Sequence, residues 1–124
     1  MEPGVVRGLM KHYFKQAEQD VQAFERAVDM KMHAATVEDE QYIIGSSIIT
    51  MLNQDYLKVL EFYHLKMDEL ENHNIEHALA ALFDLLEAAK RVVTDKDGLK
   101  QSGYEERRDT FQKELNKTGL VNEN

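Results

Sequence analysis

The chain has no cysteine and a single proline, and its six glycines are thinly spread over 124 residues. The missing thiols rule out disulfides, zinc knuckles, iron–sulfur clusters and thiol catalysis. The scarcity of Pro and Gly argues against sheets, which need turn residues every eight to twelve positions or so. Basic residues are also in short supply: 15 Lys and Arg stand against 23 Asp and Glu, for a net charge of −8. Phosphate backbones and anionic membrane surfaces would repel such a surface on average. The one dense basic pair, Arg107–Arg108, sits between Glu105, Glu106 and Asp109. The expectation is therefore no nucleic-acid partner and no membrane partner. The opening Met1-Glu2-Pro3-Gly4 lacks a basic segment leading an apolar run, which makes a cytoplasmic location the expectation.

What the chain does contain is helix-forming sequence with a helical period. From Pro3, apolar residues recur every three or four positions through Val6, Met10, Tyr13, Ala17, Val21, Phe24, Val28 and Met32, which predicts a helix over about residues 4–34. A second stripe runs through Ile44, Ile48, Leu52, Tyr56, Val59, Tyr63, Met67 and Leu70, opened by Thr36 with Asp39 and ending near Glu71. Gly45-Ser46-Ser47 interrupts it, leaving open whether the helix is continuous or begins with a short separate helix near residues 37–44. Asn74 can cap a third helix with the cleanest stripe of all, Ile75, Ala78, Leu79, Leu82, Leu85, Leu86, Ala89, Val92 and Val93. After a loop from Thr94 to Gln101, Ser102 with Glu105 reads as a capping box for a fourth helix carrying Tyr104, Phe111 and Leu115 and stopping at Gly119. Residues 119–124 are expected to form a frayed tail. The fold expectation is one all-α domain over residues 1–124, an up-down bundle of four main helices. The stretch Ile75 to Leu82 loosely resembles the second helix of a tetratricopeptide hairpin. Only one such hairpin is present, where a solenoid needs about three.

Five histidines invite a metal reading, because helical bundles build metal sites from inward Glu and His on facing helices. Glu61-Phe62-Tyr63-His64 is a Glu-x-x-His and His73-Asn74-Ile75-Glu76-His77 a His-x-x-x-His, a partial resemblance to hemerythrin-like and ferritin-like bundles. The dinuclear ferritin pattern wants two Glu-x-x-His motifs, and this sequence has one. At about 100° per residue, His12, His64, His73 and His77 all fall away from the apolar stripes of their helices. A metal-binding bundle using Glu61, His64, His73 and His77 is the alternative reading, and no cofactor is expected. No Gly-rich phosphate loop, Gly-x-Ser-x-Gly or His-Glu-x-x-His occurs, and no catalytic residues are assigned.

The apolar residues that leave their stripe are more informative. Met51, Leu57, Phe62 and Leu65 make the second helix apolar almost all round, and the fourteen residues from Gln41 to Gln54 carry no charge. A continuous second helix of roughly 52 Å beside a third of roughly 28 Å would leave the Phe24 to Met51 end without cover. The expectation is thus a non-enzymatic interaction module, of adaptor, inhibitor, immunity or chaperone-like type, that pairs as a homodimer or meets an unidentified protein. Its interface residues would be Ile43, Ile44, Gly45, Ile48, Ile49, Met51, Leu57 and Phe62.

Overall fold

The computed structural model describes residues 3–32, 38–63, 69–94 and 102–121. Four helices follow one another, α1 (Pro3–Met32), α2 (Glu38–Tyr63), α3 (Glu69–Thr94) and α4 (Tyr104–Lys117), and the described residues include no strand. Packing of α1 on α2, α2 on α3 and α3 on α4 is extensive. Contacts of Phe24 with Tyr104 and of Phe14 with Phe111 close the ring between α1 and α4. The result is an all-α four-helix bundle. None of the helices is long and apolar enough to cross a membrane among the described residues.

α1 forms where its period predicts, and Val6, Met10, Ala17, Val21, Phe24 and Val28 are buried along it. Phe14, which the stripe passes over in favour of Tyr13, is fully buried, whereas Tyr13 is half-buried. Helix lengths differ from expectation in the middle of the chain. α2 ends at Tyr63, not near Glu71, and α3 begins at Glu69, so Asn72-His73-Asn74 lies inside α3 and Asn74 is not its cap. Residues 33–37 and 64–68, which include His64, Met67 and the expected Thr36 cap, lie outside the described residues.

Each of the two central helices therefore has 26 residues, about 39 Å, and α3 reaches far enough to cover the start of α2. α2 runs through Gly45-Ser46-Ser47 as one helix with no separate segment near 37–44. The reason is visible at Gly45, which is buried: a Cβ there would sit 3.3 Å from Val93 Cγ2 on α3 and 3.6 Å from Phe24 Cε1 on α1. The glycine lets three helices approach at one level, and that cover offsets its weak helix propensity. With Gly45 turned inward, the core side of α2 is Gly45, Ile49, Leu52 and Val59. Ile44, expected on the stripe, faces out, and Ile48 is only partly buried.

The fourth helix starts at a left-handed Gly103, while Ser102 Oγ accepts the Tyr104 N–H at 3.3 Å. Ser102 thus caps from one residue further out than a simple capping box, and Glu105 and Glu106 favour the positive end of the helix dipole. At the other end Gly119 has φ +72°, the left-handed conformation that ends a helix at little cost only in glycine. The expected frayed tail does not begin there. Thr118 Oγ1 accepts the Leu120 N–H at 3.1 Å, and Leu120, 3% exposed, joins the core.

Candidate functional site

The residues expected at an interface separate into three groups. Gly45 and Ile49 are buried in the bundle, and Ile48 and Phe62 pack partly against its core, Phe62 stacking on Tyr13 with ring centroids 6.2 Å apart. Ile44, Met51 and Leu57 face outward, 45%, 51% and 51% exposed. The side chain of Ile43 lies outside the described part of the chain. By helical rotation of about 100° per residue, Ile44 and Met51 fall on one line and Leu57 on the opposite flank of the outer face. Between them stand Ser47, Thr50 and Gln54, with Ser46 just beyond Leu57, all exposed and all uncharged. Thr50 Oγ1 donates back to the Ser46 carbonyl at 3.1 Å, which keeps that hydroxyl close to the helix. Charge returns to the exposed surface of α2 only at Lys58 and Glu61, which pair with each other at 3.6 Å. Phe83 of α3 is a further exposed ring, resting on Tyr56 with centroids 5.9 Å apart.

The residues of the metal reading are brought together only in part. His73 and His77 stack one turn apart with ring centroids 4.3 Å apart, both exposed, and His77 Nδ1 lies 3.9 Å from Glu114 Oε2 on α4. Glu61 is on α2, engaged with Lys58, and His64 lies outside the described residues. Among the described residues no group of three or more His, Asp or Glu could hold a metal ion. Beside His77 the α3–α4 groove holds two shallow depressions of about 250 and 230 Å³ that share Ala81, Asp84 and Thr110. Charged and small residues line them, Arg107 and His77 among them, without the apolar walls that enclose small molecules.

Two polar arrangements were not foreseen from the sequence. At the α1–α4 seam, Arg108 Nη1 donates to Glu25 Oε1, and the Tyr104 hydroxyl donates to the Val21 carbonyl at 3.5 Å. Burial, followed by the neighbouring Glu25, pushes the Tyr104 phenol well above its ordinary range. This seam is structural: every polar group in it has a partner, and the ring of Tyr104 fills the core against Phe24.

The second arrangement joins α1 to α2. Asp20, 7% exposed, is the neighbour of the partly buried Asp55, whose Oδ2 is shielded from solvent and accepts no hydrogen bond from an N–H or hydroxyl donor. Burial is the largest cause, and the hydrogen bond and repulsion from Asp20 add to it, in pushing the Asp55 carboxyl up to about 8. Asp20 stands seven residues from Tyr13 and from Ala27, and Asp55 seven from Ile48 and from Phe62. Each acid is therefore the middle member of an otherwise apolar column at heptad spacing. That pattern is the signal by which the pair could have been found, although sequence alone does not say that the two columns face each other. The chain matches no family model, and it matches neither a curated protein nor a solved structure.

Proposed function

We propose that this chain is a non-enzymatic, cytoplasmic interaction module that works as a homodimer, two copies meeting through the outward face of α2. The observation supporting this most directly is the exposed surface from Ile44 to Gln54, where large apolar side chains border small uncharged ones and no charge occurs. Two copies of a chain with net charge −8 repel each other on average, so a self-interface needs a neutral face. A basic partner would be drawn instead to the acidic remainder of the surface. A neutral helix face with Ser47, Thr50 and Gln54 at its centre can meet its own copy about a two-fold axis, each apolar border packing on the other.

Met51→Glu tests the reading better than a change at Ile48, because Met51 is half exposed and its loss leaves the core intact. In sedimentation at micromolar concentration the native chain, 14.4 kDa per copy, is expected to run as a dimer and the variant as a monomer of unchanged helicity. A native chain that sediments as a monomer, or a Met51→Glu dimer as tight as the native one, overturns the proposal.

A further inference from the structure

The acid pair at the α1–α2 seam has a consequence of its own, independent of self-association. We propose that Asp20 and Asp55 form a proton-dependent latch: one shared proton bridges α1 and α2, and its loss sets two carboxylates against each other across a closed seam.

The geometry supports this from each side. α1 contributes Asp20, almost fully buried, and α2 contributes the partly buried Asp55, whose Oδ2 is shielded from solvent and has no N–H or hydroxyl donor. Tyr13 and Phe62, each seven residues away, stack on one another and set the register that brings the two acids together. Two carboxylates facing each other in a desolvated seam cannot both be ionised without strong repulsion, so one of them carries the bridging proton. The charged residues next along α2, Lys58 and Glu61, are exposed and engaged with each other. The buried side chains of α3 are all apolar, and those of α4 are Phe111, Leu115 and Tyr104, whose hydroxyl is turned to Val21. What acts on Asp55 is burial and Asp20. An ordinary salt-bridged carboxylate strengthens a fold as pH rises; this pair does the reverse. With the folded-state carboxyl raised above its unfolded value of about 3.9, the native state keeps a proton that the unfolded chain has already released. Stability therefore falls as pH climbs from about 4 toward about 8, and levels off above that, once both groups are ionised.

The test is thermal unfolding of the full chain at fixed protein concentration from pH 5 to pH 9, for the native protein, Asp55→Asn and Asp20→Asn. Asparagine keeps the shape, donates a hydrogen bond without a titrating proton, and leaves one carboxylate to accept it. The native midpoint is expected to drop by several degrees between pH 6 and pH 9, while either variant flattens the drop and melts above the native protein at pH 9. The five histidines are common to all three proteins, so their contribution cancels in the comparison. Parallel pH profiles for native and variant proteins overturn the latch. Where a variant fails to fold, carboxyl-carbon NMR of the native chain decides: one carboxyl titrating between pH 6 and pH 9 supports it, and all carboxyls titrating below pH 5 overturns it.

Discussion

Helices α2 and α3 have the same length and pack on each other, yet their side chains are distributed in opposite ways. α3 concentrates Ile75, Ala78, Leu79, Leu82, Leu85, Leu86, Ala89 and Val92 on its buried side and leaves His73, Glu76, His77, Asp84, Lys90 and Arg91 in water. α2 has apolar residues all round: Ile49, Leu52 and Val59 point inward, Ile44, Met51 and Leu57 outward. Segregated residues define a helix's orientation by themselves, because only one rotation buries them all. In α2, apolar residues on both sides leave the rotation less sharply defined, and a contact with other helices makes the choice. Gly45 is that contact, since its lack of a side chain lets Val93 and Phe24 pack closely at that level.

The largest effect that can break this comparison is at the centre of the α3 stripe. Leu82 is fully buried, and Leu82→Ala should cost roughly 2–5 kcal/mol in chemical denaturation. A loss no greater than that of an exposed site would mean that the rotation of α3 is wrong. A smaller effect tests the orientation of α2. Gly45→Val adds branches where even a Cβ is crowded against Val93, and should cost about 1–3 kcal/mol despite valine's better helix propensity. A stabilised Gly45→Val protein would mean that Gly45 does not face α3. The smallest effect is on the wet side of α3. His73→Ala should stay within about 0.5 kcal/mol, and a chelator should leave the melting temperature unchanged, since His73 and His77 are exposed. Loss of stability on chelation, in protein purified without a metal-affinity tag, would restore the metal reading.

The residues expected at an interface show how far a one-dimensional reading extends. The uncharged run from Gln41 to Gln54 does not say which of its side chains are exposed and which are packed inside. Ile44 is expected on the core stripe and is exposed; Gly45, a small residue at which another helix can approach closely, is packed inside against α1 and α3 and not on the outward face. The overhang expected beyond α3 is absent at Gly45, because α3 begins five residues before its expected cap and runs to Thr94. Helix boundaries at Asn72-His73-Asn74 were misread for a plain reason: polar residues on the outer side of a helix look like a break when the period is counted only on the inner side. The carboxyl pair was invisible as a pair, since Asp20 and Asp55 are 35 positions apart and each alone is an ordinary acid on a helix.

Local physics made four helices, three of their inward faces and the stop at Gly119 a property of the sequence itself. Helical hydrogen bonds and the spacing of apolar side chains act within a few residues, and a left-handed glycine ends a helix wherever it falls. The rotation of α2 depends instead on Phe24 and Val93 meeting Gly45, and the Tyr104 and Arg108 contacts with α1 join residues 83 positions apart. The same holds for the buried acids: whether an aspartate is a solvated charge or half of a protonated pair is set by what lies across the seam. No periodicity encodes that. It is decided when α1 and α2 dock and water leaves the space between Asp20 and Asp55.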